Sequence, residues 1–254
     1  MPAKKNDIDM VTLHLINNFL YSLVDEMTSA VVRTSFSPLT RDAFDFQCGL
    51  CNAKGEIILE GEGSLLHSLA YQFVVEAILE RFGNDIHPGD VFLDNDPYSS
   101  ASHLPDIYLA RPVFHKGELV VWAVSGGHMI DVGGRVAGSC ACDSTEIYQE
   151  GLRIPPIKLV DRGTRNRTAF DIIRANTRLP EVLIGDLSAH LAACYTGEQR
   201  FRDLVAEYGW ATLSRYFDAL LDYSERRTRE DLKKLPPGEY EFTDYMDDNG
   251  FGGD

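Results

Sequence analysis

His103, Asp106 and His128 are three side chains of metal-ligand type, with the second histidine 25 residues beyond the first. Two neutral imidazoles and one carboxylate can share a divalent cation and leave positions open for substrate and water, which a closed four-ligand structural site does not. Ligand type alone does not decide between Mn2+ and Zn2+. Two further carboxylates, Asp96 and Asp131, are the candidate catalytic groups. Asp131 follows His128 by three residues and fits two roles equally, orienting a ligating imidazole or capping a glycine-rich turn. Gly126, Gly127, Gly133 and Gly134 suggest a glycine-lined approach to the cation.

The elements around these residues must bring them together. Apolar runs at 107–114 and 119–124 flank the turn His115-Lys116-Gly117-Glu118, the pattern of a buried β-hairpin. Antiparallel pairing in that hairpin returns His128 to the edge where His103 and Asp106 sit. A short apolar strand at 91–93 aims the acidic segment Asp94-Asn95-Asp96 at the same edge.

Upstream, apolar residues from Ile8 to Val31 recur at helical spacing, with Asp7 or Asp9 as N-cap, and Pro38 closes the segment. A hairpin is expected over 44–60 and a helix over 65–82 ending at Gly83. His67, near that helix start, reads first as a capping or core residue, with approach to the cation site as the alternative. His14 reads as solvated.

Downstream, 145–150 predicts one helical turn and 157–160 a strand. Residues 167–234 predict at least three helices punctuated by Pro180, Gly197 and Gly209, and 239–245 alternates like a strand before a final turn at 247–254. Asp186 and His190 share a helix face four residues apart, which fits an ion pair or a satisfied core histidine better than a second ligand pair. The expected fold is α+β, a mixed β-sheet core with a long N-terminal helix and a C-terminal helical segment. The expected domains are 1–165 carrying the metal site, 166–235 helical, and 236–254 opening a further β domain, so the chain reads as truncated.

Composition narrows the function. The formal charge of -15 argues against nucleic-acid binding, which needs a basic surface. No apolar run approaches the roughly 20 residues that cross a bilayer, and the N-terminus has no signal-peptide core, so the expected location is cytoplasmic with no membrane partner. The five cysteines include a CxxC at Cys48 and Cys51 and a CxC at Cys140 and Cys142. Cys48 and Cys51 fall in a strand, where residues three apart face opposite ways, so structural zinc is disfavoured against free thiols.

The segments GDVFLDNDPY (89–98), HLPD (103–106), PVF (112–114), GHMIDVGG (127–134) and EIYQEGLRIPPIKL (146–159), with RTSFSP (33–38) and FDFQCGL (44–50), resemble the hydantoinase B/oxoprolinase family over nearly the whole chain. The resemblance implies one subunit of an ATP-dependent cyclic amide hydrolase that opens a small-molecule hydantoin, 5-oxoproline or lactam. ATP would be used only on a hydantoinase A-type partner ATPase, in a hetero-oligomer. In the carboxylase branch His103, Asp106 and His128 match the Mn2+ ligands, which favours Mn2+ over Zn2+. An acetone- or acetophenone-type carboxylase subunit is the alternative, and a non-catalytic assembly subunit or fragment a third reading. Relatives carry Gly-Gly-Thr where this chain has Ser100-Ala101-Ser102, and Pro-Gly-Ser where it has Ala137-Gly138-Ser139. Lost glycines are expected to fill space near the substrate. Family members are about twice as long, so the chain matches their N-terminal half.

Overall fold

The computed structural model describes residues 8–245. Helix α1 (Met10–Thr34) and the short α2 (Pro38–Arg41) lead into strands β1 (Phe46–Asn52) and β2 (Ile57–Glu60). Helices α3 (Leu65–Ser68) and α4 (Tyr71–Phe82) follow, then β3 (Val91–Asp94) and the long hairpin β4 (Asp106–His115) and β5 (Glu118–His128). After a loop with one 3-10 turn come β6 (Ile157–Asp161), β7 (Thr164–Arg165), α5 (Arg167–Ala175), α6 (Pro180–Tyr208) and α7 (Trp210–Leu232).

The seven strands form one sheet in the order β2-β1-β5-β4-β3-β6-β7, and every pairing is antiparallel. The expected α+β architecture is present. Helices cover both faces, so strand residues of both parities are apolar rather than alternating. Cys48, Leu50, Val121 and Ala123 pack with α1, α6 and α7, while Cys51, Tyr108, Ala110, Trp122 and Val124 pack with α4. Cys48 and Cys51 therefore face opposite sides of β1, as their spacing requires.

Helix α1 is held at its start by Asp9, whose carboxylate accepts from the backbone of Val11 and Thr12. It buries Leu13, Ile16, Leu20, Leu23, Val24, Met27 and Val31 along one stripe. Helix α6 crosses α1 closely because Gly197 has no side chain: a Cβ there would lie 2.7 Å from Met27 Sδ and 3.0 Å from Ala123 Cβ. A glycine inside a helix costs about 1 kcal/mol against alanine. Gly197 thus buys proximity and does not end a helix, contrary to its expected role as punctuation. Pro180 opens α6 and Gly209, at φ 76°, separates α6 from α7. Helix α6 shares core residues with α1 and β5 at one end and with β3 and β4 at the other.

Two further expectations change. The helix expected over 65–82 is interrupted: the Ser68 hydroxyl donates to the Leu65 carbonyl at 2.9 Å, and the Ala70 amide turns to the His67 carbonyl. A hydroxyl competing for helix carbonyls loosens the turn. Residues 239–245 form no strand and are exposed, since alternation without a neighbouring strand gives no ladder to join. The turn at 247–254 and the N-cap candidate Asp7 lie outside the described residues.

The glycines of β5 are packed, not open. A Cβ on Gly126 would meet Tyr108 Cδ1 at 2.4 Å, and one on Gly127 would meet Phe46 Cβ at 2.4 Å and the Asp45 carbonyl at 2.6 Å. These two glycines let β1 and Tyr108 press against β5 and do not line a substrate path. Gly127→Ala is expected to cost about 2 kcal/mol through backbone displacement of β1, read as a lower midpoint in urea with an unchanged slope. A midpoint equal to wild type would show that β1 is free to retreat.

Candidate metal centre

The β4–β5 register pairs Asp106 directly with His128, so hairpin formation alone sets carboxylate and imidazole side by side. In an antiparallel pair such residues stand on the same face of the sheet. The His128 amide donates to the Asp45 carbonyl at 3.0 Å, and the Met129 amide to the Pro105 carbonyl at 2.8 Å, which fixes the strand end. His103 comes from the loop before β4, tied down by Asn95. The Asn95 amide donates to the carbonyls of Leu104 and Leu152 and its oxygen accepts from the Ile154 amide at 2.6 Å.

His103 Nε2 lies 2.8 Å from Asp106 Oδ1, His128 Nδ1 lies 3.3 Å from the same oxygen, and the two nitrogens are 3.1 Å apart. Among the described residues these three form the group able to hold a metal ion. Two ring nitrogens and a carboxylate oxygen this close need protons or a cation among them. Ligand atoms about 2.1 Å from one ion sit about 3.0 Å apart at right angles and about 3.4 Å apart at tetrahedral angles. Edges of 2.8, 3.1 and 3.3 Å are of this size, so the donor set could take three neighbouring positions around one cation and leave others free.

The electrostatics agree. Burial acts to raise the Asp106 carboxyl, but hydrogen bonds from His103, His128 and Ser102 outweigh it and hold it well below the usual carboxylate range. The hydrogen bond to Asp106 raises His103, against the opposing effect of burial. The Asp106 side chain is 5% exposed, His128 18% and His103 41%, so the Oδ1 side of the cluster is the one open to reactants.

Asp96 and Asp131 are not in the cluster. Asp96 accepts from the Tyr98 amide at 3.1 Å and lies 3.8 Å from Arg153 Nε, closing its own loop. Asp131 accepts from the amides of Gly133, Gly138 and Arg178 and from the Arg178 guanidinium. Those donors overcome the effect of burial and hold its carboxyl low. The capping role is the one with a geometric counterpart, extended to a staple between the 131–139 loop and the start of α6; the catalytic role expected of both residues has none. Gly133 and Gly134 adopt φ of 91° and 79° within that loop, which is why glycines stand there.

The residues standing where relatives carry glycines also turn inward. Ser100 Oγ donates to Asp94 Oδ2 at 2.5 Å and Ala101 is buried in the cluster under α4. Ser102 keeps a hydroxyl, and it donates to Asp106 Oδ2.

Three neighbours of this centre were not singled out from the sequence, Asp45, Ser102 and Tyr108, while His67 lies beside it, its Nδ1 3.7 Å from Asp106 Oδ2, as the alternative reading of that residue allowed. Tyr108 sits two residues after Asp106 and shares its face, a signal available from strand parity. Asp45 reaches the centre only through the β1–β5 pairing, which nothing local announces. Burial, then the nearby Asp106 and Asp45 charges, push the Tyr108 phenol up, so it remains a donor. Asp186 and His190 are buried apart from the cluster: Asp186 accepts from the Phe36 and Ser37 amides, and His190 Nδ1 lies 2.7 Å from Ser125 Oγ. Burial lowers His190 to about 3, a core histidine that stays neutral. Cys140 and Cys142 are free and exposed.

Known proteins give the following likenesses. The profile of the hydantoinase B/oxoprolinase family matches residues 9–251. The caprolactamase subunit beta of Pseudomonas jessenii is 35% identical over 247 residues, covering 97% of this chain and 42% of the relative. The crystal structure of that organism's ATP-dependent caprolactamase superposes with a TM-score of 0.85 at 34% identity, over 92% of this chain and 40% of that one. Nucleotide-free acetone carboxylase, of ATP-dependent acetone carboxylation, gives a TM-score of 0.76 at 23% identity over 82% of this chain and 28% of that one, a likeness of fold. The chain thus spans about two fifths of the relative it matches. No described helix is long and apolar enough to cross a membrane.

Proposed function

The chain belongs to the hydantoinase B/oxoprolinase family, and from that premise we propose that it is the metal-holding subunit of an ATP-dependent hydrolase that opens a cyclic amide. One observation carries the reading: the triangle of His103 Nε2, Asp106 Oδ1 and His128 Nδ1, with edges of 2.8 to 3.3 Å. A divalent cation held there, Mn2+ in preference to Zn2+, supplies Lewis acidity toward a carbonyl or phosphoryl oxygen.

The chain's own residues do the rest. Asp106 contributes the charge that a cation needs, and its buried setting strengthens that attraction by excluding water. His128 is fixed through its backbone and His103 through Asn95, so the three donors are preset before any ion arrives. The exposed edge of His103 leaves room for a small molecule. ATP use is assigned to a hydantoinase A-type partner subunit, which would hand over an activated substrate in a hetero-oligomer. The hydantoinase, caprolactamase and 5-oxoprolinase named among the relatives support a substrate class of hydantoin, lactam or 5-oxoproline rings.

The test combines the purified protein, its partner ATPase and ATP with each ring substrate or with a ketone such as acetone, with and without labelled bicarbonate. Ring opening that needs ATP, stops on chelation and returns with Mn2+ is the expected result. Label fixed onto a ketone would replace hydrolysis with carboxylation. Activity indifferent to chelation would remove the metal from the account.

A further inference from the structure

We propose that the cleft between the tip of the β4–β5 hairpin and the last turns of α6 is a second ligand site, which takes a small organic carboxylate with an apolar body. It lies at the end of the hairpin remote from the cation centre and does not depend on the metal reading.

The cleft has a structural cause. Val113 pairs with Val121 and Phe114 with Leu119, so Val120 has no opposite number on β4. A bulge of this kind leaves one residue unpaired and bends its strand. Val120 and Val121 accordingly both join the core beneath α6, where an unbroken strand would send one to each side. A cavity of about 340 Å³ opens there, within the range of about 300 to 1,000 Å³ that small-molecule sites occupy.

Its floor is apolar: Val113, Val120, Phe201 and Val205 line it, each at most 8% exposed. Its rim is basic. His115 follows Val113 by two residues on β4 and so stands on the same face, and Arg202 comes from α6. Lys116 and Gly117, at φ 50° and 87°, make the two-residue turn that sets the lysine beside His115. Glu198 is 3% exposed and accepts from Arg111 at 2.5 Å and from Arg202 at 2.6 Å. Two guanidiniums thus share one carboxylate, and a positive charge is left over. Glu118 stands opposite His115 across the turn, but among the described residues lining the cleft none is acidic. In a chain with 24 Lys and Arg against 39 Asp and Glu, such a rim selects an anion. An inorganic anion would leave the floor wet, and a neutral apolar molecule would leave the rim unpaired. A carboxylate on an alkyl chain satisfies both, meeting the Lys116 ammonium and the planar fork of Arg202.

The experiment titrates octanoate into the whole purified protein by calorimetry, with octanol as the uncharged analogue. Chelator is present throughout, so that no divalent cation competes for the carboxylate. Wild type is expected to bind octanoate with a sub-millimolar Kd, and octanol about tenfold more weakly or worse. Lys116→Asn, a residue suited to a turn with positive φ, and Arg202→Gln should each weaken octanoate about fivefold to tenfold. Ala206→Phe, which fills the cleft from its exposed side, should abolish binding at an unchanged melting temperature; if that variant melts early, the two charge variants decide. Octanoate that binds every variant as it binds wild type, octanol that binds as tightly as octanoate, or no heat at millimolar octanoate would each overturn the site. Wild-type dimers that Ala206→Phe dissolves would overturn it too, because a second copy would then fill the cleft.

Discussion

Asp106→Asn is expected to lower Mn2+ affinity about a thousandfold while leaving the fold in place. The substitution is isosteric and keeps one oxygen to accept from Ser102, so packing behind β4 persists. What it removes is the one negative charge among the three donors, from a side chain only 5% exposed. Removing one partner of a buried charge pair costs about 4 kcal/mol, and each 1.4 kcal/mol is tenfold. The loss of ring-opening activity should follow the loss of metal. Asp96→Asn and Asp131→Asn are the contrast, because their oxygens serve loop backbone. Both should bind Mn2+ within about threefold of wild type. Asp131→Asn should instead lower stability by about 2 kcal/mol, since it removes charge-assisted hydrogen bonds from the amides of Gly133, Gly138 and Arg178. Titration calorimetry and thermal melts read the two effects separately. An Asp106→Asn protein that binds Mn2+ like wild type would exclude the triangle as the site.

Why the cluster of His103, Asp106 and His128 is legible in the sequence, while the residues packed behind it are not, follows from where each signal lives. A hairpin is a local object: two apolar runs and a four-residue turn specify which residues end up opposite each other, and Asp106 pairs with His128 as that pattern demands. Asp45 is separated from His128 in sequence by most of β1 to β5, and only the order β1-β5-β4 in the sheet makes them neighbours. Sequence pattern carries parity along a strand, not the identity of the next strand. His67 was ambiguous for a related reason. A histidine at a helix start reads the same whether it caps, fills a core or backs a carboxylate, and the partners that decide it come from β4 and the segment before β1.

Glycine was the residue most easily misread. Gly126 and Gly127 suggested an open approach, yet the side chain of Tyr108 and the backbone at Asp45 and Phe46 occupy that space. Gly197 suggested a helix end, yet it lies inside α6 against Met27 of α1. In each case the absence of a side chain signals that something else is near, and the sequence does not say whether that is solvent, ligand or another strand. For Asp131, proximity to His128 left two roles open. Three residues along a loop carry no fixed direction, and its five donors turn it toward Thr177 and Arg178.

Metal affinity should fall as the solution is acidified, while the metal-free protein moves the other way. His103 is raised by its hydrogen bond to Asp106. In the metal-free state that contact contributes stability which is fully present below the unfolded histidine value of about 6.5 and is lost as pH rises through the raised folded value. Asp106 is depressed, so its contribution is present above the unfolded carboxylate value of about 3.9 and is lost as pH falls toward the folded one. Between about pH 4 and 6.5 the metal-free cluster is therefore at its most stabilising. A cation needs the His103 nitrogen that the proton occupies, so binding releases a proton and affinity drops about tenfold per pH unit below the raised value. Two units below it, the expected loss is about a hundredfold. The gain in melting temperature from a fixed Mn2+ concentration should accordingly shrink from pH 8 to pH 5.5, because less of the protein is bound. The measurement is a pair of melting curves at each pH, one with chelator and one with Mn2+. A gain that stays constant across the range would mean that no imidazole proton is displaced, and the ion would have to sit elsewhere.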